Sequence, residues 1–112
     1  MILREGKNRV RDLLEADIEN GEYGTGTTAP TAGDTDTGTQ VADTEVETTN
    51  TKSDKLIQIV HENNHAMGNG SSLTEFTTWC NSGSTLLTRN IFSSYAKSNI
   101  KTMTATKFIF IN

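Results

Sequence analysis

Between residues 3 and 20 the apolar side chains of Leu3, Val10, Leu13, Leu14 and Ile18 recur at spacings of 7, 3, 1 and 4, which predicts an amphipathic helix. Asn20-Gly21 supplies its stop. The pattern then vanishes. Residues 21–39, GEYGTGTTAPTAGDTDTGT, hold five glycines, the single proline and almost no large apolar group, so they predict a long connector with no core of its own. From residue 40 the period shortens to two, and strands are expected over 40–49, 55–61, 73–80, 85–92 and 102–111. Asn81-Ser82-Gly83 reads as the tight turn of a hairpin. The last segment places Thr102, Thr104, Thr106, Phe108 and Phe110 on one parity and Met103, Ala105, Lys107, Ile109 and Ile111 on the other. An end that is apolar on both sides predicts a central or doubly covered strand.

One helix followed by five short strands predicts a mainly β chain: an antiparallel β-sandwich or curled sheet with the N-terminal amphipathic helix packed at one end. Within a single globular domain, three parts are expected: the helix (1–20), a Gly/Thr-rich connector arm (21–51) and a β-domain (52–112). A chain of 112 residues has room for one modest core. Nineteen threonines strengthen the strand reading. No apolar run approaches a membrane span and no charged-then-apolar leader follows Met1, so neither a membrane partner nor a secretory route is expected.

Charge changes the picture more than composition does. Residues 1–54 hold 12 acids and 5 bases, whereas residues 55–112 hold 2 acids and 5 bases, and no acid follows Glu75. Such halves can pair within one chain or between copies. The helix carries its charges against its dipole, with Arg4, Lys7, Arg9 and Arg11 early and Glu15, Asp17 and Glu19 late, so it needs docking to persist. Nucleic acid is not expected as a partner: Arg89, Lys97, Lys101 and Lys107 are spread singly and lack interleaved aromatics.

The literal chemical match is His61-Glu62-Asn63-Asn64-His65, an H-E-x-x-H string that in zinc proteases needs a helix to aim both imidazoles at one metal. Here a β-branched run precedes it, Gly68-Asn69-Gly70 follows it, and no third histidine exists. Zinc on His61 and His65 is therefore the minor reading beside a strand that ends in a polar turn with exposed histidines. Asp34-Thr35-Asp36-Thr37-Gly38, with Glu45 further on, resembles a calcium loop but lacks its glycine position and flanking helices. Gly24-Thr25-Gly26 has no lysine to make a phosphate cradle. Cys80 has no basic sequence neighbour to activate it and reads as an apolar filler. Leu73, Phe76 and Trp79 read as core, while Tyr23 and Tyr95, isolated in polar stretches, read as anchors of a subunit contact. Asn69-Gly70-Ser71 matches a glycosylation acceptor, which matters only in a secretory pathway. No catalytic residue and no cofactor are expected.

The segments GTGTTAPTAGDTDTG (24–38) and GNGSSLTEFTTWCNSGSTLLTRNIF (68–92) resemble small structural proteins of tailed bacterial and archaeal viruses. The match lies in Thr74-Glu75-Phe76, Ser82-Gly83, Leu86-Leu87-Thr88-Arg89, Phe92, Lys97 and the apolar end 108–111. The resemblance implies a virion component, a capsid decoration or turret piece or part of a tail, whose partners are copies of itself and other virion proteins. On that expectation the arm lies across a neighbouring subunit, and the interface uses Tyr23, Asp34, Asp36, Arg89, Lys97, Lys101 and Lys107. A receptor- or glycan-binding module of a virus fibre is the alternative, and a small zinc hydrolase the more distant one.

Overall fold

The structure is a computed structural model and describes residues 1–53, 56–64 and 67–111. Helix α1 (Arg4–Asp17) runs straight into β1 (Ile18–Gly24). There follow β2 (Val46–Glu47), β3 (Thr49–Ser53), β4 (Leu56–Asn63), β5 (Ser72–Cys80), β6 (Thr85–Ala96) and β7 (Met103–Phe110). All pairings are antiparallel and build two sheets, β2-β1-β5-β6 and β3-β4-β7. The chain is thus mainly β, with one N-terminal helix. Ile18 and Cys80 of the first sheet meet Ile57 and Ile59 of the second, ringed by Leu14, Leu87, Ile109 and Ile111. A second cluster joins Tyr23, Leu73 and Phe76 with Val41, Phe92, Met103 and Ala105.

Three sequence expectations change. The helix ends at Asp17 rather than residue 20, because Ile18, counted in its stripe, turns inward as the first core residue of β1. Asn20 and Gly21, read as a stop, are strand residues paired with Trp79 and Thr78. Gly21 suits that place because the rings of Phe76 and His61 press on it: an added Cβ would lie 2.9 Å from Phe76 Cζ and 3.1 Å from His61 Cδ2. Gly21→Ala is therefore expected to lower stability by about 1–3 kcal/mol, through overpacking, in a urea unfolding curve. The 40–49 strand is the second change. It breaks into an isolated bridge from Gln40 to Gly24, a 3-10 turn at Ala42–Thr44, β2 and the start of β3. Third, β7 is an edge strand and not a central one, with Phe108 and Phe110 facing solvent.

The helix docks by Arg11 and Leu14 rather than by its full apolar stripe. Arg11 is buried and its Nη1 donates to the Ile111 carbonyl at 2.9 Å, while Leu14 touches the first core cluster. Leu3, Val10 and Leu13 are left exposed. The hairpin turn is as read: Asn81, Ser82 and Gly83 all take positive φ (55°, 56° and 79°), which brings β6 back beside β5.

Candidate functional site

The connector is a strap on its own chain. Backbone bonds from Thr25 N to Thr39 O (2.8 Å) and from Val41 N to Tyr23 O (3.0 Å) close residues 25–39 into a loop of the Ω type, which lies across the outer face of the first sheet. Its anchor is Glu75 of β5. One carboxylate accepts the amides of Gly26 (3.0 Å), Gly38 (3.1 Å) and Thr39 (2.8 Å) and the Nε of Arg89 (2.8 Å). Burial alone would push the Glu75 pKa up; the Thr39 amide, the Arg89 guanidinium and the other two amides outweigh it and hold the carboxyl below its usual range. Thr37, Thr77 and Glu22 form a second buried hydroxyl–carboxylate link between strap and sheet.

This geometry redirects several expected interface residues. Over 25–39 the arm lies across its own sheet. Arg89 and Asp34 do meet, at 3.1 Å, but inside one chain, and the Arg89 side chain is only 5% exposed. The Thr31 amide and hydroxyl, then Arg89, lower the Asp34 pKa. Tyr23 is 2% exposed and belongs to the core, edge-on to the His61 and Phe92 rings at 5.3 and 6.2 Å. Lys97 is also 2% exposed, donating to Asn69 Oδ1 and to the Ser98 carbonyl. Of the expected set, Lys101 stays at the surface, its Nζ 5.2 Å from the centre of the Tyr95 ring, and Asp36 opens on a recess beside Glu22 and Glu45. Lys107 lines the groove described below.

The H-E-x-x-H string does not sit on a helix. His61, Glu62 and Asn63 are consecutive residues of β4, so His61 and Asn63 point into the sandwich while Glu62 points out; His65 lies outside the described residues. His61 is buried rather than exposed. Its Nε2 is 2.7 Å from the Thr44 carbonyl, its Nδ1 has no hydrogen-bond partner, and the Tyr23 and Phe76 rings flank it. Among the described residues, no three histidine, cysteine or acidic side chains are gathered around one point. Cys80 is buried, and burial, with Asp17 nearby, pushes its thiol pKa up. Phe76 and Leu73 are core as read; Trp79 lies on the strapped face, its indole N–H on Thr77 Oγ1 at 3.0 Å.

What remains open is the other side of the sandwich. β6 ends the first sheet and β7 the second, and between them runs a groove of about 490 Å³ whose walls include Phe76, Phe92, Met103 and Ala105. On the outer face of the second sheet, Phe108 and Phe110 stand beside Gln58 and Leu56 of β4, uncovered by any strap among the described residues, and Phe110 is 62% exposed. Leu13, on the helix, is 53% exposed. Sequence reading missed both this bare face and the Glu75 anchor. The signal for the anchor was present: an acid inside an apolar strand, opposite a strand bearing an arginine. Comparison of the chain with family models, with curated proteins and with solved structures gives no match.

Proposed function

We propose that the chain is a non-enzymatic structural subunit that assembles with copies of itself, and with other proteins of a virion, through its second sheet and its helix. The observation that carries this reading is that one molecule bares both Phe108 and Phe110, on the outer face of an edge strand, and Val10 and Leu13 of the helix with Leu3 just before it. Exposed apolar side chains and an unpaired strand edge are costly in a free monomer and are relieved by a partner. The virion setting rests on the resemblance of residues 24–38 and 68–92.

Light scattering on a sizing column tests it. The unaltered chain is expected as an oligomer, and Leu13→Asp combined with Phe110→Asp as a monomer with the same circular dichroism. Burying one such side chain is worth about 1.5–3 kcal/mol, so each substitution alone should weaken assembly by roughly 10- to 150-fold. A wild-type chain that stays monomeric at high concentration overturns the reading.

A further inference from the structure

The two flanks of the sandwich are built differently. On one, residues 46–53 form a single extended stretch that both sheets share: β2 pairs with β1, and β3, beyond Thr48, pairs with β4. Along this stretch the Thr48 amide donates to the Glu19 carbonyl at 3.1 Å, and Asn50 Nδ2 of β3 donates to the Ile18 carbonyl of β1 at 2.9 Å. It closes the sandwich like a seam. On the other flank β6 and β7 end their sheets without pairing to each other, and the groove of about 490 Å³ lies between them. Among the described residues no strand closes it.

Charge separates the flanks in the same way. Among the described residues, Lys107 is the one charged group on the groove walls, and it forms no ion pair. At the closed flank, Glu19, Glu45 and Glu47 line a recess along β2 that no described lysine or arginine enters, and Lys52 of β3 is already paired with Asp12. Both flanks also end in strand edges whose outward backbone groups lack a ladder partner. We infer that the β6–β7 flank docks the β2–β3 flank of a second copy, head to tail, with Lys107 of one chain facing Glu45 and Glu47 of the next. This rests on the assembly reading above: Leu13 and Phe110 gather the copies, and the flanks set their order.

Strand direction agrees. Every pairing within β2-β1-β5-β6 is antiparallel, so in a head-to-tail repeat by translation β2 of the next copy runs antiparallel to β6. In the second sheet the same repeat sets β3 of the next copy parallel to β7, and both arrangements are regular ladders. Pairing β7 with β7 about a two-fold axis would instead bring two Lys107 side chains into one interface. No acid follows Glu75, so neither β6 nor β7 supplies a carboxylate to offset them.

Cross-linking reads this contact directly. A mixture of isotopically light and heavy full chain is treated with a carbodiimide, which joins a lysine amine to a carboxylate touching it, and is then digested for mass spectrometry. Links from Lys107 to Glu45 or Glu47 are expected, including hybrid pairs of one light and one heavy peptide. Lys107→Glu and Glu47→Lys should each weaken self-association by roughly 5-fold or more at low salt, with unchanged circular dichroism, and the two together in one chain should recover most of the loss. Lys107 links found only within one chain, hybrid links at other sites alone, or a double variant no better than the single ones overturn the head-to-tail contact and leave the assembly reading standing. A chain that scatters as a monomer and gives no hybrid link overturns both.

Discussion

Glu75→Gln is expected to remove about 3–5 kcal/mol of stability, because it leaves the largely buried Arg89 side chain with Asp34 as its one carboxylate partner and turns one carboxylate oxygen into an N–H₂ facing backbone amides. A domain of this size has about 5–15 kcal/mol in total, so the variant should sit at the edge of folding in a urea titration. The loss has two separable sources. If the ion pair were all, Glu75→Leu with Arg89→Met would recover most of it. Since Gly26, Gly38 and Thr39 still lose their acceptor, the double variant should recover only part, and those three amides should exchange with solvent far faster while β4 and β7 stay protected. The same carboxylate sets an acid limit: its pKa is lowered by folding, so its stabilisation is present above the ordinary glutamate range and is lost as pH falls through the folded value. A midpoint shift in Glu75→Gln worth under about 1 kcal/mol would remove the strap from the account of stability.

Acid should act earlier on His61. Burial lowers its pKa from 6.5, against the pull of the Thr44 and Gly21 carbonyls, so the folded chain holds the ring neutral where an unfolded chain would protonate it. The stability gained by that neutral burial is complete above pH 6.5 and declines as pH drops toward the folded value. Each pH unit in that window costs up to about 1.4 kcal/mol, which caps the loss between pH 6.5 and 5 at about 2 kcal/mol. Protonation would add an N–H at Nδ1, which has no hydrogen-bond partner beside the Tyr23 and Phe76 rings. Glu22, whose pKa is raised, works in the opposite sense and gains stability as it takes up its proton. His61→Phe separates the two: it is expected to be less stable at pH 7.5, through the unpaired Thr44 carbonyl, yet to lose nothing further between pH 6.5 and 5, where Glu22 only adds stability. An unchanged acid slope in that variant would acquit the histidine.

The later strands were readable from sequence because alternation survives wherever one face of a strand is buried, as in Ile57, Ile59 and His61 of β4. β1 was not, because Ile18 continues the helical spacing and Asn20-Gly21 carries the signature of a turn; only the rings of Phe76 and His61, distant in sequence, explain a glycine there. Tyr23 and Lys97 read as surface groups because their sequence neighbours are polar, and sequence neighbours do not reveal what folds over a residue. β7 misled for the reverse reason. Its two apolar parities suggest double cover, yet nothing among the described residues lies over Phe108 and Phe110. The glycine-rich connector was recognised but its destination was not, since its anchor is a single glutamate that lies 35 or more residues further along the chain.

Among the described residues the strap clothes the outer face of one sheet and nothing clothes that of the other, so the molecule has a front and a back. Copies that join back to back would present outward a skin of glycine, threonine and carboxylate, hydrated and poor in grip. Growth would then stop in that direction and continue only sideways, along the free edges of β6 and β7, which is the geometry of a thin layer and not of a solid aggregate.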